Sequence, residues 1–235
     1  MDLSKPLAYR MRPTTLDEFV GQEEIVGKDK ILYRTIKADR LSSLILWGPT
    51  GCGKTSLAKV ISNTTKYKFI KLNAVTSGVP DIKKAVEEAK NAFLNPTGKC
   101  ILFIDEIHRF NKLQQDALLP YVEDGTVILI GATTENPYFE VNKALISRSM
   151  VVKLNPLKPE DIFKVLKNAL VKEEGLGTYN IKIEDETLMA ISKFANGDVR
   201  TALNSLEIAV LTTSVNTDGS ITITNEIMAD RKSVV

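Results

Sequence analysis

The sequence has few of the features that define a functional class at a glance. Cys52 and Cys100 are its only cysteines, too few for a metal or disulfide framework, and this fits a reducing compartment. Its 31 basic residues are nearly balanced by 29 acidic ones. The resulting net charge of +2 excludes a strong attraction of the whole chain to nucleic acid or to anionic lipid. Any contact with DNA must therefore be local.

Long apolar runs are missing as well. The first residues, MDLSKPLAYRMRP, lack the apolar core of a signal peptide, and no run approaches the length needed to span a membrane. The sequence also has no convincing repeats or low-complexity tracts. We therefore expect a cytoplasmic protein with no membrane partner.

Short apolar runs rich in β-branched residues alternate with helical patterns along the first part of the chain. The runs predict five strands, at SLILW, KFIKL, CILFID, TVILIGA and MVVKL. Helical patterns occupy 54–65, 80–93, 112–123 and 142–146. This alternation predicts an α/β fold, a mostly parallel sheet with helices on both faces. A polar arm containing RPTTLDEFVGQ precedes the first strand and leads into a short capped helix.

The pattern changes at the proline-punctuated junction NPLKPED, residues 155–161. Three helical patterns follow, at 159–174, 185–194 and 198–212. We therefore predict two domains: an α/β domain over 1–157 that includes the arm, and a small all-helical domain over 158–235.

A glycine-rich segment, GPTGCGKT, stands between the first strand and the helix that follows it. Its spacing, Gly48, four residues, Gly53, Lys54 and Thr55, is that of a phosphate-binding loop. Glycines let backbone N–H groups curl around phosphate oxygens, Lys54 reaches the β- and γ-phosphates, and Thr55 binds Mg²⁺. The predicted nucleotide site comprises Gly48, Pro49, Thr50, Gly51, Cys52, Gly53, Lys54, Thr55 and Ser56.

The apolar run CILFID ends at Asp105, and Glu106 follows directly, so two carboxylates stand side by side at the end of a predicted strand. An aspartate at a strand end can hold Mg²⁺ through its water shell, and Glu106 can polarise an attacking water, a contribution of about 10²- to 10⁴-fold. The segments NKLQ and NKAL lack the aspartate of an Asn-Lys-x-Asp guanine reader, so ATP is favoured as the nucleotide.

His108, the only histidine, follows the two carboxylates closely. It is either a relay or orienting hydrogen-bond partner for Glu106, or an ordinary structural polar residue. A second polar cluster appears in LIGATTENPYF, where an apolar strand runs directly into threonines, a glutamate, an asparagine and a proline. Such a polar tip on a buried strand indicates a ligand-facing loop.

These segments resemble the AAA+ ATPases, in particular the replication-associated recombination protein A family. The resemblance covers nearly the whole chain and rests on AYRMRPTTLDEFVGQ, WGPTGCGKT, FIDEIHRFNKLQQDALLPYVEDG, LIGATTENPYFEVNKALISRS and NGDVRTALNSLE. It implies a DNA-dependent ATPase, using ATP and Mg²⁺, that acts in replication-fork maintenance, DNA repair and recombination.

The resemblance also implies roles for polar residues outside the phosphate loop. The strand bearing Thr133 and Thr134 resembles the sensor 1 strand, which lies between the phosphate-loop strand and the Asp-Glu strand. One of Thr133, Thr134 and Asn136 would then contact the γ-phosphate or the attacking water.

Two arginines acquire roles from the same resemblance. Arg148, in SRS, resembles an arginine finger offered to the ATP of a neighbouring subunit, and Arg200, in GDVR, resembles the sensor 2 arginine of the second domain. Residues 9–25 would form an arm lining the adenine pocket.

The partners implied by the resemblance are single-stranded DNA or DNA ends, with single-strand-binding protein and replisome components beside them at the nucleoid. The segment NAVTSGVPDIKK corresponds to a region that faces DNA in clamp loaders. Family members continue into a C-terminal oligomerisation domain, whereas this chain stops at MADRKSVV, so we expect the family's homo-oligomer to be weakened.

Three other interpretations remain. A RuvB-type branch-migration motor shares IDEIHR and GATT, but that family inserts a hairpin where this sequence has only EDGTV. A clamp-loader subunit fits less well, because TTENP and DEIHR are not its usual forms. A nucleotide-bound scaffold for replication proteins is opposed by the joint presence of Lys54, Asp105, Glu106 and Arg148.

Overall fold

The computed structural model describes residues 4–226, which fold into two compact units. The α/β unit is Pro13–Asn155, and the helical unit combines residues 4–12 with 156–226. The helical unit therefore includes the segment before Pro13, which we had assigned to the α/β domain. The ends of both predicted domains, at 1–3 and 227–235, lie outside the described residues.

The secondary structure follows the alternation expected from the sequence. The strands are β1 Ser43–Trp47, β2 Lys68–Asn73, β3 Cys100–Asp105, β4 Ile128–Thr133, β5 Ser149–Lys153, β6 Ile181–Ile183 and β7 Ile221–Ile223. The helices are α1 Leu7–Arg10, α2 Glu23–Val26, α3 Ile31–Lys37, α4 Lys54–Thr65, α5 Val79–Lys90, α6 Lys112–Asp116, α7 Leu119–Glu123, α8 Pro137–Glu140, α9 Lys143–Ile146, α10 Pro159–Val171, α11 Asp185–Phe194 and α12 Val199–Thr212.

The α/β unit is built on one five-stranded sheet in the order β2-β3-β4-β1-β5, and every neighbouring pair is parallel. The central strands are buried almost residue after residue because both faces are covered. In β1, Leu44 and Leu46 pack into one core and Ile45 into the other. The predicted α/β fold, with a parallel sheet between two helical layers, is confirmed.

One predicted helix, over 112–123, is divided into α6 and α7. Pro120 stands in the first turn of α7. Proline has no N–H group to donate to the preceding turn, and its ring crowds that turn, so a continuous helix is interrupted there. Asn111 caps α6 by accepting a hydrogen bond from the N–H group of Gln114.

The helical unit packs α10, α11 and α12 around a core of its own. The short helix α1 belongs to this core, because Leu7 is fully buried in it. The unit also contains a two-stranded parallel sheet, β6 with β7, so our prediction of an all-helical domain is wrong on this point. Within residues 4–226, no helix is long and apolar enough to cross a membrane.

Candidate functional site

The phosphate loop connects β1 to α4 and depends on glycine at several positions. Gly51 and Gly53 have φ angles of 65° and 104°, in the left-handed region that glycine tolerates. A Cβ atom at Gly48 would lie 2.4 Å from the carbonyl oxygen of Leu154, and one at Gly53 would lie 2.9 Å from Cζ of Phe19. The backbone here packs too closely for side chains.

Lys54 opens α4 with its side chain folded into the loop. The residue is only 8% exposed, and its Nζ donates to the carbonyl oxygens of Gly48 and Pro49, at 2.6 and 2.7 Å. Thr55 and Ser56 follow in the first turn of the helix and are half-buried. The loop therefore brings an ammonium group and the N-terminal N–H groups of a long helix together, as phosphate binding requires.

Asp105 lies at the end of β3 and pairs with a lysine that we did not predict. Nζ of Lys71, on the neighbouring strand β2, lies 2.9 Å from Oδ2 of Asp105. Lys71 appeared in the sequence only as a polar position in KFIKL, and its partner could be found only from the pairing of β2 with β3. Asp105 and Thr55 offer hard oxygen ligands of the kind that Mg²⁺ prefers.

Glu106 has an unusual backbone conformation directly after the strand. Its φ angle is 56°, rare for a residue with a side chain, and it begins a 3₁₀ turn over Ile107–Arg109. Ile107 is fully buried and holds this turn to the sheet. Its side chain packs over Gly131 of β4, where a Cβ atom would lie 2.9 Å from Cδ1 of Ile107.

The tip of β4 lies between the phosphate loop and the carboxylates, since β4 is the strand between β1 and β3. This is the strand order that the resemblance implied. The N–H group of Gly48 donates to the carbonyl oxygen of Thr133, at 3.2 Å, which joins the loop directly to the tip of β4.

The three candidate sensor residues have different surroundings. Thr133 is fully buried, and its Oγ1 accepts from the N–H group of Glu135 at 3.0 Å. Asn136 caps α8 through its side-chain oxygen, which accepts from the N–H group of Tyr138. Thr134 is half-buried, and its hydroxyl has no hydrogen-bond partner in the described part of the chain. Within the described residues, the hydroxyl of Thr134 and the amide nitrogen of Asn136 are therefore both left for a ligand, whereas the hydroxyl of Thr133 is engaged.

His108 lies between Thr133 and Glu106. Its side chain is 7% exposed, Nδ1 lies 2.9 Å from Oγ1 of Thr133, and Nε2 lies 3.5 Å from Oε2 of Glu106. His108 therefore lies close to Glu106, as the interpretation of His108 as a relay or orienting partner for Glu106 requires.

Arg148 follows α9 and is partly exposed. Its Nη2 lies 2.7 Å from Oε1 of Glu123, and its Nη1 donates to the carbonyl oxygen of Ala144 and to Oγ of Ser147. These contacts hold the guanidinium against its own unit while leaving 41% of its side chain exposed.

Arg200 lies in the helical unit, in the first turn of α12. Asp198 caps this helix by accepting hydrogen bonds from the N–H groups of Arg200 and Thr201. The Arg200 residue is exposed. Its role as a nucleotide sensor stays a prediction.

The arm predicted over 9–25 is divided between the two units. Tyr9 lies in the helical unit, with Arg12 stacked over its ring at 4.7 Å, whereas residues 13–25 lie in the α/β unit. Within the α/β unit, Gln22 donates to the carbonyl oxygen of Asn155 and accepts from its N–H group, which ties the arm to the end of the unit. Phe19 and Gln22 fall within the predicted arm, but their contacts with Gly53 and Asn155 could not be predicted from the sequence, because they are tertiary.

Comparison with known proteins identifies the class of the fold. The family model described as "ATPase family associated with various cellular activities (AAA)" matches residues 44–157, and the model described as "AAA C-terminal domain" matches 177–233. The Thermotoga maritima RuvB Holliday junction branch migration motor has a similar structure, with a TM-score of 0.77 and 26% identity over 96% of this chain and 73% of that one. The sheet order, the phosphate loop and these matches define a P-loop protein of the AAA ATPase class.

More similar sequences narrow the assignment. Replication-associated recombination protein A of Bacillus subtilis (strain 168) is 49% identical over 94% of this chain, and that of Escherichia coli (strain K12) is 47% identical over 96%. The chain spans 52% and 51% of the length of these relatives. The chain belongs to the replication-associated recombination protein A family of AAA ATPases.

Proposed function

We propose that the chain binds ATP with Mg²⁺ at its phosphate loop and hydrolyses it to ADP and phosphate. The observation that carries this proposal is the position of Thr133 at the tip of β4. Its carbonyl oxygen accepts from the N–H group of Gly48 in the phosphate loop, and its hydroxyl contacts His108, which lies next to Glu106. Binding and hydrolytic groups are thus connected through one strand.

Each group has a defined task in this proposal. Lys54 exchanges its two carbonyl partners for β- and γ-phosphate oxygens. Thr55 and Asp105 hold Mg²⁺, which neutralises charge on the phosphates. Glu106 polarises the attacking water as general base. Thr134 supplies the sensor hydroxyl, because the hydroxyl of Thr133 is engaged within the protein and the side chain of Asn136 caps α8 through its oxygen.

We further propose that ATP turnover depends on DNA and serves replication-fork maintenance, repair and recombination. The support is the family, whose members carry replication and recombination in their name. Single-stranded DNA or DNA ends are the proposed effectors, single-strand-binding protein and other replisome components are proposed partners, and the bacterial nucleoid in the cytoplasm is the proposed place of action. The exposed Lys83 and Lys84 of α5 are candidate phosphate contacts.

A branch-migration motor is the second candidate, favoured by the structural similarity to RuvB. The connection between α7 and β4 counts against it, because residues 124–127 leave no room for the hairpin that we associate with such motors. A clamp-loader subunit and a nucleotide-bound scaffold are the remaining alternatives.

Comparison of Glu106→Gln with the parent chain tests hydrolysis. The variant keeps the shape of the side chain and removes its basicity, so we expect unchanged ATP affinity and at least about a 100-fold loss of turnover. Equal turnover by variant and parent would exclude Glu106 as the base. ATP binding without turnover in both proteins would favour the scaffold.

DNA dependence is tested by adding single-stranded DNA or blunt duplex ends to the full-length protein during ATP turnover. We expect stimulation that falls as salt rises, because phosphate contacts release counterions. Lys83→Gln with Lys84→Gln should reduce this salt dependence while leaving turnover without DNA unchanged. A flat response to every DNA would remove DNA as the effector.

A further inference from the structure

The single histidine lies in a position that the proposed hydrolysis does not yet use. The two nitrogens of His108 face different partners, Thr133 at the tip of β4 and the carboxylate of Glu106. The His108 side chain is only 7% exposed, whereas the Glu106 side chain is 33% exposed, so the ring is shielded from bulk water on the Thr133 side and the carboxylate stays partly open to it. Burial of this kind strengthens a polar interaction and makes an unpartnered polar atom costly.

The hydrogen-bond directions follow from the chemistry of the partners. A carboxylate only accepts, so Nε2 of His108 carries the proton that faces Glu106. In the neutral ring, Nδ1 then has a lone pair and accepts from the hydroxyl of Thr133, at 2.9 Å. Oγ1 of Thr133 is in turn fixed by the N–H group of Glu135, at 3.0 Å. The same hydroxyl also lies 3.3 Å from the carbonyl oxygen of Glu135, so Nδ1 of His108, at 2.9 Å, is the nearer of two acceptors for its proton.

The backbone explains why the ring reaches Glu106. The left-handed conformation of Glu106 turns the chain sharply after β3, and the 3₁₀ turn brings His108 back beside it. Ile107, packed over Gly131, holds this turn against β4. Thr133, two residues after Gly131 in β4, contacts the ring of His108. The separation of 3.5 Å between Nε2 and Oε2 is longer than an ordinary N–H···O hydrogen bond, about 2.7–3.2 Å, so the ring and the carboxylate are in polar contact at this distance.

We propose that His108 is a positioning residue for Glu106. Thr133, at the tip of β4, orients the ring of His108, and the ring in turn orients the carboxylate of Glu106. This inference rests on the proposed ATP hydrolysis. It gives Thr133 and Thr134 separate tasks: Thr134 faces the ligand, and Thr133 orients His108.

Steady-state kinetics with matched variants tests the proposal. His108→Phe keeps the ring and removes both nitrogens, and we expect kcat to fall about 10- to 100-fold, less than for Glu106→Gln, with little change in KM. Thr133→Val, which removes the hydroxyl and keeps the shape, should lower kcat in the same direction. His108→Gln, with one acceptor and one donor, should recover part of the loss. The control is Lys112→Gln, at an exposed position nearby, with unchanged kcat.

A double-mutant cycle separates positioning from general structural damage. In the Glu106→Gln background, His108→Phe should change turnover less than about twofold, because the group it positions is already gone. A further large loss in that background, or unchanged kcat in His108→Phe alone, would overturn the proposal. Thermal unfolding of each variant shows whether the fold is kept.

The ring itself provides a measurement that needs no turnover. Because the chain has one histidine, a long-range ¹H–¹⁵N spectrum of the labelled protein contains the ring signals of His108 alone. We expect the Nε2–H form, with an Nδ1 signal that moves in Thr133→Val and an Nε2 signal that moves in Glu106→Gln. If neither substitution moves a ring signal, the proposed role of His108 is refuted, even if the protein hydrolyses ATP. Signals that respond in a protein without ATPase activity would leave the bridge in place and refute the proposed function instead.

Discussion

At the scale of single residues, the site depends on positions where a side chain is excluded. Gly53 combines a φ angle of 104° with a close approach to the ring of Phe19, so two separate requirements select glycine. Phe19 belongs to the arm and packs in the core of the α/β unit. The arm therefore helps to shape the phosphate loop from behind.

Gly53→Ala should weaken both the fold and nucleotide binding. A left-handed alanine costs about 1–2 kcal/mol, and contact with Phe19 adds to this and displaces the N–H groups of the loop. We expect a loss of about 2–3 kcal/mol in the free energy of unfolding, measured in urea, together with at least tenfold weaker ATP binding.

A control for this substitution exists within the same unit. Gly98 also has a positive φ angle, 66°, but a Cβ atom there would meet nothing within 4 Å. Gly98→Ala should therefore show only the backbone cost and normal ATP binding. Equal ATP affinity in the two variants would argue against a role for the contact between Gly53 and Phe19.

At the scale of elements, the sequence predicted the parts that have strong periodicity. The bounds of β1, α4 and α11 agree with those expected, because each is framed by a clear change of pattern. The sheet of β6 and β7 was missed because each strand has only three residues and its partner lies far along the chain. Neither segment can be recognised as a strand from its own sequence.

The site shows the same division between local and tertiary information. The phosphate loop and the carboxylates are local motifs, and so they could be read from the sequence. The proposal of Thr134 rather than Thr133 as the ligand-facing threonine rests on the contact between Thr133 and His108, which joins two separate segments. The pairing of Lys71 with Asp105 likewise depends on which strands are neighbours.

Helix α1 is attached to the helical unit by a largely buried ion pair. Arg10 and Glu207 lie 2.9 Å apart, with side chains 9% and 16% exposed, and Glu207 also accepts from the N–H group of Leu7. Glu207→Ala leaves the guanidinium of Arg10 without its charge partner, so we expect a loss of about 3–5 kcal/mol in the free energy of unfolding. Chemical denaturation followed by circular dichroism measures this loss.

An exposed ion pair in the same unit provides the comparison. Lys182 and Asp218 lie 2.6 Å apart, but more than half of each side chain is exposed. Lys182→Gln should cost less than about 1 kcal/mol, because solvent screens the pair and Asp218 keeps its hydrogen bonds from Ser220. If the two substitutions cost the same, burial is not what gives the pair of Arg10 and Glu207 its importance.

At the scale of the whole molecule, the prediction that Arg148 is an arginine finger connects the site to assembly. Its guanidinium contacts Glu123, and 41% of its side chain is exposed. A finger of this kind contributes about 10³- to 10⁵-fold in other phosphoryl-transfer systems. We expect Arg148→Ala to lose almost all turnover while keeping ATP affinity.

Complementation identifies the subunit on which Arg148 acts. Lys54→Ala and Arg148→Ala are each expected to be inactive, but in a mixed assembly some sites combine an intact Lys54 with an intact Arg148 from the neighbour. Turnover should therefore return on mixing, in proportion to the fraction of such sites. An assembled mixture that stays inactive would place Arg148 outside the neighbouring site.

The division of the chain into units has a further consequence for dissecting this protein. Because residues 4–12 belong with 156–226, the α/β unit is an insertion within the helical unit, joined to it by two chain crossings. A protease cut at the second crossing alone leaves Leu7 and Arg10 covalently joined to the α/β unit and bound noncovalently to Glu207. Residues 13–155 can be excised as one piece, whereas the helical unit is complete only when both of its segments are supplied.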